Sequence, residues 1–305
     1  MSSSRPMSAH FESDKLPGPL AGKAAAATRL LADIANEHSP AVFANSLGAE
    51  DMVLTDLILR GGLAIEIFSL DTGRLAQETY ALMQDIQRHY GLRLKLFYPR
   101  HDLIEDYTAN HGINAFFDSV ELRRACCQIR KVEPLKRALA GKRAWITGMR
   151  AQQAPTREAL PLRQFDEANG LLKFNPLAEW SEQDVWAHLR GKGVPYNALH
   201  DRGYPSIGCA PCTRAIAAGE DLRAGRWWWE SADTKECGLH RSPLVTLGTS
   251  TQANIDEGDV KARSTGRSQS ADTKECGLHR IPVSVRTTLP ENTDESTLAA
   301  ALRSA

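Results

Sequence analysis

The chain has 305 residues, and its 37 Lys+Arg balance 37 Asp+Glu for a net charge of zero, so no global pull toward nucleic acid is expected. With 42% hydrophobic and 24% charged residues it reads as one large globular domain or two small ones; it has no apolar run of about 18 residues to cross a bilayer and no apolar N-terminal core of an export signal. Six cysteines are too few for a disulfide scaffold, and a reducing, cytoplasmic setting is expected, where thiols serve metals or catalysis.

In chain order, residues 1–22 read as a flexible arm. Residues 23–37 carry Leu30, Leu31 and Ile34 at helical spacing. Ala41 to Ala44 is a short apolar strand that feeds the turn Asn45-Ser46-Leu47-Gly48, and Ala49 to Arg60 follows as a helix with Val53, Leu54, Leu57 and Ile58 on one face. Ala64 to Leu70 is a second strand, ending at Asp71-Thr72-Gly73-Arg74; Leu75 to Tyr90 is the next helix. Leu92 to Tyr98 and Ala144 to Thr147 are a third and a fourth strand. Strands alternating with helices predict an α/β fold, a parallel sheet flanked by helices, with ligands beyond the carboxyl ends of the strands. After about residue 175 the pattern turns mainly helical, and Ser181 with Asp184 three positions on reads as a helix start. The expected division is a main α/β domain at 23–230, a thiol-bearing tail at 231–241, and a disordered extension at 242–305, in which Arg241 to Gln269 is rich in Ser, Thr, Gly and Asp.

Four cysteines form two pairs, Cys126-Cys127 and Cys209-Ala-Pro-Cys212. Adjacent thiolates rarely reach two corners of one zinc tetrahedron, whereas a larger iron–sulfur cubane accepts four thiolates. Arg123, Arg124, Arg130 and Lys131 flank the first pair and would offset the negative charge. A structural zinc, or cysteines that only fill a core, are the competing readings of the same residues.

Cys237 lies beside Lys235 and near His240 and Arg241, a cationic setting that favours thiolate. The block Ser231 to Arg241 recurs unchanged at Ser270 to Arg280, so Cys276 duplicates Cys237. An incidental surface cysteine is the plainer alternative for Cys237, and a passenger of duplication for Cys276. Cys237 is preferred because it follows Gly225 to Glu230 directly; Cys276 is the alternate, since a flexible connection of about 39 residues reaches roughly 31–37 Å. Further on the anion side, the turn at Ser46 to Asp51 presents backbone N–H groups at a helix start. Arg150 and Arg157 follow the fourth strand, and Arg223 and Arg226 precede three tryptophans; guanidinium matches oxyanions bidentately.

The segments Arg123 to Leu135, Gly208 to Arg214 and Glu236-Cys-Gly-Leu-His240, with Leu70 to Arg74, Thr147 to Arg150 and Lys173 to Leu177, resemble the assimilatory adenylyl-sulfate reductases of the iron–sulfur type, over roughly residues 25 to 241. The resemblance implies a fold like the adenine-nucleotide hydrolases related to PP-loop pyrophosphatases. It implies thioredoxin-linked (or glutaredoxin-linked) reduction of adenosine 5′-phosphosulfate to sulfite and AMP in sulfate assimilation, without nucleic acid or membrane. Relatives lacking both cysteine pairs generally use the 3′-phosphorylated nucleotide, which makes that substrate the alternative; an iron–sulfur redox sensor is the alternative from another class. By the same resemblance Cys237 matches the nucleophile. Cys126, Cys127, Cys209 and Cys212 match the ligands of a 4Fe-4S cluster, and Lys131 stands between cluster and substrate. Arg157, Arg223, Arg226 and His240 match substrate-binding positions, and Leu70 and Gly148 main-chain contacts. The Asn45-Ser46-Leu47-Gly48 turn and everything beyond Arg241 depart from the family pattern.

Overall fold

The computed structural model describes residue 16, residues 18–153 and 160–231, and residues 235 and 239. The chain divides into two compact units, Met1–Leu247 and Gly248–Ala305; every described residue lies in the first. The expected extension at 242–305 is outside the described residues, as are Arg157, Cys237, His240 and Cys276.

Six strands form one sheet in the order β3-β2-β1-β4-β6-β5. They are β1 (Ala41–Ala44), β2 (Glu66–Leu70), β3 (Lys95–Phe97), β4 (Ala144–Ile146), β5 (Arg163–Asp166) and β6 (Leu171–Phe174). All neighbours are parallel except β5, which pairs antiparallel with β6. The helices are α1 (Gly18–Glu37), α2 (Ala49–Arg60), α3 (Gln77–Tyr90), α4 (His101–His111), α5 (Val120–Cys127), α6 (Glu133–Leu139) and α7 (Glu182–Lys192). Among the described residues no helix is long and apolar enough to cross a membrane.

The central strands are short and apolar because both faces are covered: Val42, Phe43, Phe68, Trp145 and Ile146 are buried. Phe43 and Ile146 join one core with α1, α2 and α7, while Val42, Phe68 and Trp145 join a second with Leu135, Ala138 and Leu139 of α6. Helix α2 is anchored by Met52, Val53, Leu54 and Ile58, each contributing about 1.5–3 kcal/mol on burial. Helix α7 starts as its sequence predicts: Ser181 and Asp184 make a reciprocal capping box.

Three expectations are corrected. Helix α1 already begins at Gly18, inside the stretch read as an arm. The strands at 64–70 and 92–98 are shorter than their apolar runs, starting at Glu66 and Lys95. Beyond residue 175 the chain is not mainly helical: after α7 it runs as turns, because Gly193, Pro195, Gly203, Pro205, Gly208 and Pro211 interrupt any helical repeat.

Candidate active site

A cleft of about 300 Å³ opens at the carboxyl ends of β1, β2 and β4. Its floor starts at the β1–α2 turn. Asn45 donates to Thr55 Oγ1 (2.8 Å) and accepts the Leu47 N–H (2.6 Å); the Ser46 N–H donates to Asp51. Two of the N–H groups expected to face an anion are therefore spent inside the loop. Leu47 holds a left-handed backbone, φ 66°, that would suit glycine, and it stays because its side chain is buried.

Asp51 also accepts from the Gly148 N–H, yet burial pushes its carboxyl up to about 7, with the neighbouring Glu50 adding to the rise. A side chain at position 148 would collide with Asp51 Oδ1, which is why the Thr147-Gly148 turn needs glycine. Arg150, expected to meet an anion, is buried and donates instead to Glu50 Oε1 (2.8 Å) and the Trp180 carbonyl (3.4 Å). Its partner in that expectation, Arg157, lies outside the described residues.

The four paired cysteines converge. Cys126 and Cys127 end α5, and the helix then widens into a π turn at Gln128–Val132 before α6. Cys209 and Cys212 bracket a single 3₁₀ turn. This second loop is stitched to the β2 turn: the Ala210 N–H donates to the Arg74 carbonyl (2.7 Å), Leu75 bridges Cys209, and Thr72 Oγ1 lies 3.2 Å from Cys209 Sγ. Arg130 donates to the Thr72 carbonyl (2.7 Å) from the other side. All four thiols line one small cavity, together with Arg74, Arg123, Arg130, Lys131 and Trp227, and none is in a disulfide. Burial pushes the Cys212 thiol up to about 12, with the charge of Cys209 adding to it; burial also raises Cys126, against the nearby Arg130. Trp227 Nε1 is buried there without a hydrogen-bond partner among the described residues. Of the flanking cations foreseen from sequence, Arg123 and Arg130 are buried toward the thiols and Arg124 is exposed.

Lys131, Cys209 and Trp227 line both the thiol cavity and the cleft. Leu70, Gly148, Arg223 and Arg226 also line the cleft. Arg226 donates to the Ile207 carbonyl (3.0 Å) and lies 4.8 Å over the Trp227 ring, and any side chain at Gly208 would strike its guanidinium. Arg223 donates to the Lys235 carbonyl (3.2 Å). Leu239 lines the cleft and packs with Phe68, Leu135 and Trp145. Sequence reasoning missed Thr72, Arg74, Asp51 and Glu230. The first two were visible only as part of the Leu70 to Arg74 match; Glu230 gave no signal beyond following the tryptophans.

Fold and cleft together define an α/β protein with a mostly parallel sheet and a cleft at the carboxyl ends of its strands. Within that class the chain belongs to the phosphoadenosine phosphosulfate reductase domain family, whose model matches residues 40–215. It is similar to the adenosine 5′-phosphosulfate reductase of Allochromatium vinosum, 60% identical over 232 residues, covering 76% of this chain and 91% of that protein. It is also similar to the enzyme of the same name from Burkholderia cepacia, 55% identical over 234 residues, covering 77% and 94%. Among solved structures, the phosphoadenylyl-sulfate reductase of Candida auris in a phosphate complex superposes with a TM-score of 0.55 at 25% identity, covering 67% of this chain and 100% of that one.

Proposed function

We propose that the protein reduces adenosine 5′-phosphosulfate to sulfite and AMP with thioredoxin as reductant, a step of sulfate assimilation, in the cytoplasm. The observation that carries the reading is a nucleotide-sized cleft, lined by Lys131, Arg223 and Arg226, that shares a wall with four converging thiols. Relatives more than half identical bear the matching name.

The thiols fit a 4Fe-4S cluster better than one zinc ion. Among the described residues no three His, Cys, Asp or Glu side chains converge on a single metal ion, yet four cysteines ring one cavity. Burial holds the Cys126 and Cys212 thiols above their usual range, a cost that metal coordination would offset, and the Thr72 hydroxyl lies 3.2 Å from the Cys209 sulfur. Cys126, Cys127, Cys209 and Cys212 would be its ligands, and when bound it would supply a fixed charged wall beside the substrate.

The proposed domains are the reductase core, which helix α1 extends from residue 23 back to Gly18 and which ends at 230, the tail at 231–241 and the extension at 242–305. In the reaction, Leu70 and Gly148 contribute main-chain contacts to the nucleotide, the Gly148 N–H being given to Asp51. Lys131, Arg223 and Arg226, joined by Arg157 and His240, neutralise phosphate and sulfate. The Cys237 thiolate attacks the sulfuryl sulfur; an S–S bond forms, the S–O bond to phosphate breaks, and AMP leaves with the electron pair. A thioredoxin thiolate then attacks Cys237 Sγ, sulfite leaves with the S–S pair, and the second thioredoxin thiol closes a disulfide and returns Cys237 as a thiol. The dithiol thus supplies both electrons. The described residues on either side of position 237 support this choice, because Lys235 bonds a cleft arginine and Leu239 lines the cleft.

The test measures sulfite from adenosine 5′-phosphosulfate and from its 3′-phosphorylated analogue, with reduced thioredoxin, alongside the mass of the protein mixed with substrate alone. One SO₃ on Cys237 and faster turnover of the 5′-phosphosulfate are expected. Preference for the 3′-phosphorylated nucleotide would reassign the substrate. An adduct on Cys276 would move the nucleophile. The absence of both sulfite and adduct would end the enzyme reading in favour of a sensor.

A further inference from the structure

Arg123 and Glu230 have no part in the chemistry above, yet they form a buried ion pair, with side chains 1% and 3% exposed. The pairing is a two-pronged fork: Arg123 Nε to Glu230 Oε1 at 2.8 Å and Nη2 to Oε2 at 2.7 Å. The same guanidinium hydrogen-bonds the Cys127 thiol and lies 4.8 Å over the Trp227 ring. Arg123 stands one helical turn before Cys127 on α5, so both side chains share a face. Glu230 closes the Trp227 turn, its N–H donating to the Trp227 carbonyl at 2.9 Å. The residue after it, Ser231, opens the tail segment.

A charge pair this deep persists only where geometry and further hydrogen bonds compensate for lost water. A plain staple between α5 and the tryptophan turn would need only the fork. The third contact, to sulfur, gives the arrangement another consequence: a carboxylate that grips one edge of a guanidinium fixes where its remaining N–H groups point. This is how outer residues orient the ligands of metal sites.

We propose that Glu230 is a positioning residue of the sulfur site: through Arg123 it holds a hydrogen bond on the Cys127 sulfur, and so fixes the origin of the Cys237 tail relative to the thiol cage. The proposal rests on the iron–sulfur reading of the four thiols. It assigns Glu230 no contact with substrate, in keeping with its position away from the cleft lining.

The experiment compares full-length wild type, Glu230→Gln and Arg123→Lys, all purified anaerobically. Iron per chain, far-UV and visible circular dichroism, kcat and KM are measured. Glutamine keeps the size but breaks the charged fork; lysine keeps the charge but cannot make it. Both variants are expected to keep their far-UV spectrum and to shift the visible spectrum. They should lose about 10- to 100-fold in kcat or in iron retention, the usual cost of removing an outer partner of a metal ligand, while KM for the nucleotide stays within about twofold. If Glu230→Gln does not accumulate folded, Glu230→Asp, with the charge on a shorter arm, is read in the same way. Iron-bearing variants with a wild-type visible spectrum and kcat would reduce the pair to a staple and overturn the proposal. A wild type that binds no iron would instead bring down the cluster reading.

Discussion

Asp51 is the residue whose protonation the fold alters most plainly. Burial raises its carboxyl from the ordinary range to about 7 although it accepts from Ser46 and Gly148. A carboxyl raised on folding stabilises fully below its unfolded value, and that stabilisation is lost as pH rises through the folded one. The window therefore runs from about pH 4 to about pH 7, and the ionised group costs up to roughly 4 kcal/mol at its upper end. An asparagine in its place replaces one carboxyl oxygen by an NH2 donor, so one of the two N–H groups loses its acceptor at a cost of about 1 kcal/mol, but it never ionises. Asp51→Asn is thus expected to be less stable than wild type at pH 3.5, below the unfolded value, and more stable at pH 8, by urea midpoints; parallel midpoints at both pH values would show that Asp51 does not titrate on folding. Nothing in the sequence marked this residue, because Glu-Asp at a helix start reads as ordinary dipole complement. Leu47 is the reverse case. Its departure from the family turn was plain in the letters, but only the backbone angle shows that leucine burial outweighs left-handed strain there.

At the scale of elements, legibility followed periodicity. Strand β1 and helix α2 match their expected bounds residue for residue, since apolar runs and helical spacing are the strongest local signals. Strands β5 and β6 were not foreseen; Arg163-Gln-Phe-Asp166 alternates only weakly and is defined by its antiparallel partner rather than by its own pattern. The π turn at Gln128–Val132 was equally invisible, because composition does not distinguish an i+5 turn from an i+4 one. Yet it sets the angle between the vicinal cysteines and Lys131. A π turn is an α-helix carrying one extra residue, so deleting Ile129 leaves α5 and α6 in phase while moving Lys131. Expected is a folded protein, by far-UV circular dichroism, with sulfite formation down about 100-fold, the usual effect of a displacement near 1 Å at a reacting centre. Unchanged turnover would show that the widened turn is neutral.

For the whole molecule, the fold class and the convergence of two distant cysteine pairs were both readable in advance. What the letters could not reveal was how the loops spend their donors: Arg150 on Glu50, Ser46 on Asp51, Arg123 on Glu230. Such choices depend on contacts between distant segments. The repeated thiol block poses a question at this scale. Ending the chain after Arg241 removes Cys276 and keeps Cys237. Sulfite formation is expected to stay within about twofold of full length, as for residues outside the reacting geometry. Loss of turnover would transfer the nucleophile to the second block.

Lys131, Cys209 and Trp227 face both chambers, so the two rooms share a party wall. No exchange in that wall can be charged to one room alone. If the second room holds the proposed cluster, a slower variant at Lys131 or Trp227 says nothing about nucleotide handling until its iron has been counted, and a bleached one says nothing about the iron until nucleotide affinity has been weighed.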